Sequence, residues 1–411
     1  MTLFKSKVES TIAYGVSFAS IRMLVGSTSA LYLMNRGLTL EGLAFLKSLQ
    51  ALVMLIADLP LGYIADKFSR KLSTVIGVWF GVIWLGLTAW APDLSIIYLG
   101  EIFNALSLCL VNGSYDALLI DTHKKFGSGE QLSHLLGRYN KHQFFYMALA
   151  AVMSAFFWSL NLKWIWIVAA LLMFYQALFM HGLLAKDTFQ NPSGEIKKLA
   201  PKEDFIRMMR FIYHSNSLRK CLPLAVLLGV FYQIIIQYWQ PILRLWVKNE
   251  LLTPIFSGAF ICILLVQSGA GKLMQKVRSS ERIKSVSMIT IMISLMVIGW
   301  SLESPSMIML LAIIILFFAL RLATIDFDTD INQSVNSDDR ATFFSMYSTG
   351  QRIVLIILFP VLGVLIQSMG FYSVIGIGVI VACMILFFEM SGITHPIGKS
   401  TRIENKSNVK A

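Results

Sequence analysis

Charged residues are scarce in this sequence, and their scarcity limits what kind of protein it can be. Asp, Glu, Lys and Arg make up 14% of the 411 residues, whereas soluble domains carry about 25%. Hydrophobic residues make up 56%, and the mean hydropathy is +0.68. This balance excludes an ordinary soluble domain and indicates a chain embedded in a lipid bilayer.

Residues that carry catalysis or bind metals are also few and scattered. The four cysteines lie within apolar stretches without metal-site spacing, and we interpret them as packing residues. The six histidines offer no arrangement of nucleophile, base and orienting group, and "SGAGKL" lacks the spacing of a phosphate loop. "DFDTD", residues 326–330, lacks the glycine and glutamate of a calcium loop and is interpreted as part of an intracellular gate. We therefore expect neither an enzyme nor a cofactor or metal site.

Long apolar runs, by contrast, are abundant. A helix needs roughly 20 mostly apolar residues to cross a bilayer, because hydrocarbon leaves its backbone groups no partner outside the helix. Twelve runs qualify and predict an all-α membrane protein, divided into 1–184, a cytoplasmic linker at 185–220, 221–391 and a tail at 392–411. The predicted spans are 11–34, 38–64, 71–92, 94–119, 143–161, 163–184, 221–246, 251–274, 285–302, 305–326, 341–367 and 371–391.

Lys and Arg residues indicate how these spans are oriented. The net charge is +12, and the basic residues concentrate in every second loop, starting with the loop after the second span. Because basic loops resist translocation, these loops and both termini are predicted to be cytoplasmic. The first span contains Arg22 and is followed by no cleavage pattern, so it is interpreted as a helix that is retained. Topology thus accounts for the positive charge, and nucleic-acid binding is not expected.

The loop after the second span carries a motif. "GYIADKFSRK", residues 62–71, resembles the signature that the major facilitator superfamily has between its second and third helices. Ser69 departs from it, since the family has a glycine there that would allow a tight turn with positive φ. "NGSYDALLID" in the fourth span and "INQSVNSDDRATFFSM" before the eleventh are similar to patterns of proton-coupled exporters in that family. The gating residues matched identically or conservatively are Gly62, Asp66, Lys67, Arg70 and Lys71.

The resemblance implies a fold and a mechanism. The fold is two pseudo-symmetric six-helix bundles, and the expected location is a bacterial inner (plasma) membrane. Asp66 is expected near the N-terminus of the eleventh span, where the helix dipole favours an anion, so that the motif closes the cytoplasmic side. The alternative is that these charges only set the topology. "GKLMQKVRSS", from Gly271, occupies the equivalent place in the second half, with Gln275 where the first half has the aspartate.

Polar side chains within the spans are candidates for a binding cavity, because hydrocarbon penalises them. Arg22 shares a helix face with Ser29 and lies near mid-depth, where it is either a cavity residue or part of an ion pair. Asp58 shares a face with Lys47, its expected partner, and can carry a proton. The glutamines of the seventh span form a stripe that suits either a cavity or helix packing. The candidates are Arg22, Asp58, Glu101, Asn112, Asp116, Gln233, Gln237, Gln240 and Arg352.

The sequence departs from the proton-coupled exporters at two places that bear on how transport is coupled to protons. Glu101 stands about where many proton-coupled members carry a buried arginine, and the fifth span lacks the glycine and proline pattern of drug antiporters. Carboxylates within the spans can pair with Arg22 and Arg352. When these carboxylates take up protons the pairs would break, and the two arginines could then bind an anionic group of the substrate.

These patterns predict a secondary transporter that works by alternating access as a monomer. The leading hypothesis is export of a small amphipathic or anionic organic molecule in exchange for protons. Import of an anionic metabolite or metal chelate is an alternative within the same class. A membrane receptor or scaffold that does not transport is the alternative from another class. The expected partners are a small-molecule substrate, protons and the lipid bilayer.

Overall fold

Helices are the only regular structure in the described part of the chain. A computed structural model describes residues 6–67, 69–126, 132–158, 161–184, 216–247, 252–276, 281–334 and 340–391. No strand occurs in these ranges. The prediction of an all-α membrane protein is confirmed.

Seven α-helices and one 3-10 turn precede the linker in the described residues. They are α1 (Lys7–Gly26), α2 (Ser29–Asn35), α3 (Leu40–Lys67), α4 (Arg70–Trp90), α5 (Leu94–Phe126), α6 (Leu132–Trp158), α7 (Leu162–Phe179) and the 3-10 turn Met180–Leu183. Polar side chains cap several of their first turns. Ser6 accepts a hydrogen bond from the Glu9 N–H at 3.2 Å, and Asn161 accepts one from the Lys163 N–H at 2.9 Å. These caps satisfy backbone donors that a helix start leaves open.

Six helices follow the linker in the described residues. They are α8 (Asn216–Arg244), α9 (Leu252–Lys276), α10 (Glu281–Ser301), α11 (Met307–Ser334), α12 (Arg340–Met369) and α13 (Tyr372–Met390). Gly370 has φ +63° between α12 and α13, and Gly37 has φ +96° between α2 and α3. Glycine adopts this left-handed conformation without strain, so both turns reverse the chain tightly.

Most of these helices are able to cross a membrane. Ten are long and apolar enough, and α1 with α2 adds an eleventh as a bent pair. α6 is not among them, because polar residues such as His134, Arg138 and Lys141 fill its first third. The predicted fifth span began at 143, whereas α6 begins at Leu132. The fifth helix is therefore longer and more polar than the apolar run predicted.

The first predicted span is broken rather than continuous. α1 and α2 are bent by 48° at a short break. Ser27 lies in this break, and its Oγ donates to Ser154 Oγ of α6 at 3.2 Å. The prediction that Ser29 shares the helix face of Arg22 assumed one continuous helix, whereas Ser29 begins α2 beyond this bend.

The described residues form two compact units. The first unit comprises residues 6–184, 243–264 and 355–367, and the second comprises 216–242, 265–354 and 368–391. Most of the predicted linker, 185–220, and nearly all of the tail, 392–411, lie outside the described residues. The division into 1–184, 185–220, 221–391 and 392–411 therefore stays a prediction.

The first unit is built around aromatic contacts between its helices. α4 packs against α5 and α7, α3 packs against α5, and α1 packs against α6 and α7. Trp166 of α7 is fully buried, stacks on Tyr32 at 5.0 Å between ring centres and meets Trp84 edge-on at 5.7 Å. Such contacts supply packing that the lipid-facing surface of a helix cannot.

Within the first unit, α3 also contacts α12. Ser48 Oγ donates to the carbonyl oxygen of Ile356 at 2.9 Å. Gly363 lies so close to α3 that a Cβ added to it would stand 3.2 Å from the Cβ of Ala44. Small residues at both positions allow this close approach. α3 begins and α12 ends on the side that the charge pattern predicts to be extracellular.

The second unit holds α8 in place through aromatic packing. Phe231 of α8 lies against Gly378 of α13, where any side chain would collide with the ring. Phe317 of α11 receives the edges of Tyr232 and Trp239, with ring centres at 6.1 and 6.4 Å. These contacts fix the helix that carries the predicted glutamine stripe.

Candidate functional site

The motif "GYIADKFSRK" covers the end of α3 and the start of α4. Gly62 is exposed, with open space where a Cβ would lie. Ser69 has φ −171°, and its hydroxyl accepts a hydrogen bond from the Leu72 N–H at 2.9 Å. Serine therefore caps α4 from an extended backbone, and the turn does not need the glycine of the signature. The side chains of Asp66 and Lys67 lie outside the described part, so the predicted contact with the eleventh span stays a prediction.

Two basic residues of this motif are bonded to other segments of the first unit. Arg70 Nη1 donates to Asp121 Oδ2 at 2.5 Å and joins α4 to α5. Asp121 ends the pattern "NGSYDALLID", so one ion pair connects two motifs that lie apart in the sequence. Lys71 Nζ donates to the carbonyl oxygen of Leu184 at 3.3 Å. Sequence reasoning quoted Asp121 but did not identify it as a partner of the gating motif.

Arg22 of α1 lies in a polar and aromatic environment. Its Nη2 donates to Asn104 Oδ1 of α5. The guanidinium carbon stands 4.5 Å from the ring centre of Trp84 and 5.4 Å from that of Phe18. Its Nη1 is buried and makes no hydrogen bond to any described residue. Aromatic faces stabilise the cation, while one strong donor remains unsatisfied.

Glu101 lies beside Arg22 but is bonded to a different cation. Lys47 Nζ of α3 donates to Glu101 Oε1 at 2.7 Å and to Gln50 Oε1 at 3.1 Å. The prediction that Lys47 pairs with Asp58 is wrong. Lys47 precedes Asp58 by three turns, about 16 Å along the axis, whereas α5 packs directly beside it. Asp58 itself is half-buried on α3.

These side chains form one cluster, which we call the Arg22 cluster: Arg22, Lys47, Glu101 and Asn104. Glu101 and Arg22 interact electrostatically, and Glu101 and Asn104 are neighbours one turn apart on α5. Two cations face a single carboxylate, so the cluster has a surplus of positive charge. Because an unneutralised charge is costly inside a membrane, the cluster favours an anionic group beside Arg22.

Two further residues predicted to line the cavity lie nearer the C-terminal end of α5. Asn112 and Asp116 are one turn apart and both are exposed, as is Gly113 between them. Asp116 interacts electrostatically with Tyr139 of α6. The structure therefore places Asn112 and Asp116 on an accessible face of α5, while Glu101 is buried on the same helix.

The glutamine stripe of α8 is divided by burial. Gln233 is exposed, whereas Gln237 is 8% and Gln240 2% exposed. The two buried amides agree with the packing alternative for the stripe, and Gln233 alone is accessible. Arg352 is half-buried on α12. The structure thus does not present the three glutamines as one open polar surface.

A second buried charge cluster lies between α10 and α11. Lys284 Nζ is 2.6 Å from Asp330 Oδ2, 3.3 Å from Asp326 Oδ2 and 4.6 Å from the ring centre of Phe327. "DFDTD" is therefore part of a helix rather than a loop, and its first and last aspartates face a lysine. Among the described residues, no group of His, Cys, Asp and Glu could hold a metal ion. Sequence reasoning missed Lys284, since only the packing of α10 on α11 brings it to the aspartates.

Comparisons with known proteins agree with this helical architecture. A family model described as "Major Facilitator Superfamily" matches residues 11–326. The uncharacterized MFS-type transporter YxaM of Bacillus subtilis (strain 168) is 21% identical over 246 residues, which cover 57% of this chain. The match spans 59% of the length of that relative.

Two solved structures show the same fold over nearly the whole chain. A crystal structure of the nucleoside transporter NupG has a TM-score of 0.76 at 13% identity, covering 95% of this chain and 99% of that one. A crystal structure of a D-xylose-proton symporter has a TM-score of 0.71 at 10% identity, covering 92% and 96%. At such low identity the likeness concerns the fold and not the solute.

Proposed function

Because this chain belongs to the Major Facilitator Superfamily, we propose that it is a secondary active transporter that exports a small organic solute by alternating access, driven by protons. It is a multi-pass integral membrane protein. The proposed setting is a bacterial inner membrane, with a monomeric chain and both termini in the cytoplasm. The proposed solute carries an acidic group.

The Arg22 cluster is the observation that supports an acidic solute. Two cations and one carboxylate leave a surplus of positive charge, and Arg22 Nη1 lacks a hydrogen bond among the described residues. A carboxylate or phosphate accepts two parallel bonds from a guanidinium, which satisfies the open donor and the charge together. Trp84 and Phe18 line the guanidinium, so its immediate surroundings are apolar, which suits an amphipathic solute.

Proton coupling is proposed from the carboxylates in the spans. Asp58 and Asp116 are accessible enough to exchange protons in the first unit, whereas Glu101 is committed to Lys47. Loss of negative charge when they take up protons would strengthen the pull of the Arg22 cluster on an anion. Proton binding and solute binding are then linked through charge, a scheme that suits symport of an anion as readily as export of a zwitterion with an acidic group.

The motif residues are proposed to gate the cytoplasmic side. The ion pair between Arg70 and Asp121 fixes the start of α4 to α5, and Asp66 is proposed to supply the exchangeable contact. Asp66→Asn keeps the shape of the side chain and removes its charge, so it should weaken transport without unfolding the protein. Wild-type flux in that variant would dismiss the gate.

Flux measurements in proteoliposomes test the proposed function. The purified chain is reconstituted, and a panel of anionic, zwitterionic, cationic and neutral compounds is offered with and without a pH gradient. The proposal expects gradient-dependent movement of compounds with an acidic group. Uptake together with protons would favour the importer, and binding without flux would favour the receptor. Movement of permanent cations alone would refute the anion site.

A further inference from the structure

The N-terminal third of α6 and the C-terminal end of α5 carry basic residues that the proposed transport mechanism does not use. The exposed ones are His134, Lys141 and His142 of α6 and Lys124 and Lys125 of α5. Only residues 127–131 connect the two helices, so these side chains lie at the same end of the first unit. The sequence of α6 contains no aspartate or glutamate. This end of the unit therefore presents positive charge at its surface.

The basic residues of α6 share one helix face with exposed aromatic and apolar residues. Lys141 lies one turn before Phe145 on this face, and His142 lies one turn before Tyr146. Phe145 is 64% and Tyr146 45% exposed, and their rings meet edge-on with centres 5.3 Å apart. The surface, which we call the α6 cationic–aromatic face, consists of His134, Lys141, His142, Phe145, Tyr146 and Leu149.

The order of side chains along this face follows the depth profile of a bilayer leaflet. α6 has 27 residues and is about 40 Å long, about 10 Å more than the hydrocarbon core is thick. The excess places the start of α6 among the headgroups, and the long side chain of Lys141 points back towards that end of the helix. Aromatic side chains are favoured at the next level, the boundary with the hydrocarbon, where Phe145 and Tyr146 follow.

Membrane topology alone does not require this arrangement. The preference for basic residues in cytoplasmic loops depends on their number near the span and not on the helix face that carries them. In α6 they continue the face of Phe145 and Tyr146, whereas Met147 and Ala151 on the opposite side are buried in the protein. A soluble acidic partner would contact the basic residues only. A phospholipid has both parts in the right order, an anionic headgroup followed by acyl chains.

We propose that the α6 cationic–aromatic face binds an anionic phospholipid of the adjoining leaflet. The ammonium group of Lys141 binds the headgroup phosphate through charge and hydrogen bonding, and the two histidines donate further hydrogen bonds to it. The acyl chains lie along the two aromatic rings and Leu149. A net negative charge on the headgroup distinguishes the preferred lipid from a zwitterionic one. This site is separate from the Arg22 cluster and does not depend on the solute or on proton coupling.

Quenching by brominated lipids, measured at one position of this face, tests the proposal. The full chain, with its four native cysteines replaced and Leu149→Cys carrying a fluorescent label, is reconstituted into phosphatidylcholine vesicles. Phosphatidylglycerol with brominated acyl chains is compared with brominated phosphatidylcholine at the same low mole fraction. The local preference for phosphatidylglycerol should be about fivefold or more and should fall at high salt. Equal quenching by the two lipids would overturn the proposal, and binding of a poly-glutamate peptide in that case would assign the surface to a soluble partner.

Variants in the same labelled chain separate this face from the general charge of the protein. Lys141→Gln should lower the preference about fivefold, which corresponds to about 1 kcal/mol for one basic residue near the surface. Lys141→Arg should keep the preference, since the charge remains. Lys272→Gln is the matched control, because Lys272 is an exposed lysine near the C-terminal end of α9, and it should also keep the preference. An unchanged preference in Lys141→Gln, or an equal loss in Lys272→Gln, would show that this face is not the site.

Discussion

Lys47 and Glu101 form an ion pair with 2.7 Å between Nζ and Oε1, and the pair joins α3 to α5 beside Arg22. The Glu101 side chain is 5% exposed and that of Lys47 25%. Removing one partner of a fully buried pair costs about 3–5 kcal/mol, whereas an exposed pair contributes about 0–1 kcal/mol. This pair lies between the two limits, and it sets the charge that surrounds Arg22.

Glu101→Gln should therefore lower the free energy of unfolding by about 2 kcal/mol, because Lys47 loses its carboxylate partner in a poorly solvated place. Adding Lys47→Met should recover much of the loss, since no unpaired charge then remains. Thermal unfolding of the purified variants in detergent measures both effects. A double variant no more stable than Glu101→Gln would show that the pair is not coupled.

Arg22→Lys should weaken binding of an anionic solute about tenfold, which is about 1.4 kcal/mol, while the protein stays folded. A lysine keeps the charge but cannot bond Asn104 and the solute with one planar group. Arg36→Lys is the matched control, since Arg36 is exposed and donates to the carbonyl oxygen of Ala91. The measurement is the concentration at which flux reaches half its maximum, for an anion that the compound panel shows to be transported. Equal half-saturation in Arg22→Lys and wild type would remove Arg22 from the site.

Ser69→Ala should destabilise the protein by about 1 kcal/mol, and Ser69→Gly by only a few tenths of a kcal/mol. The hydroxyl caps α4 through the Leu72 N–H, and an alanine leaves that donor to solvent. Unfolding midpoints of the two variants can be compared directly. If Ser69→Gly stabilised the protein markedly, serine would be a strained substitute for the glycine of the family signature and not a cap.

Ala44→Cys combined with Gly363→Cys should form a disulfide in the conformation described here. A Cβ on Gly363 would lie 3.2 Å from that of Ala44, close to the roughly 3.5–4.5 Å that a disulfide spans. In a background without the four native cysteines, mild oxidation should crosslink the pair and stop transport, and a reducing agent should restore it. The proposed alternating access would require α3 and α12 to separate here. Crosslinked protein that still transports would show that they do not.

Sequence predicted the helices well because hydrocarbon imposes one rule on every span: the backbone must bond within its own helix. It could not predict the break near Ser27, since Ser and Thr occur in continuous spans as well. It also could not predict the polar first third of α6, because that part of the helix contains no apolar run. The charged partners were the hardest part. Spacing along one helix suggested that Lys47 pairs with Asp58. A side chain instead pairs with a partner that a neighbouring helix presents at the same depth in the membrane, and for Lys47 this partner is Glu101. The partnership of Lys284 with Asp326 was inaccessible for the same reason.

The central claim, proton-driven transport of a solute with an acidic group, is tested most directly by accumulation against a concentration gradient. Proteoliposomes containing the purified chain are given the same concentration of a zwitterionic compound with an acidic group on both sides, and a pH gradient is then imposed. The account predicts net movement of the compound towards the more acidic side, the direction of proton antiport, with little movement in Arg22→Lys at the same concentration. No net movement for any acidic compound in wild-type vesicles, or equal movement after the pH gradient is collapsed, would contradict it.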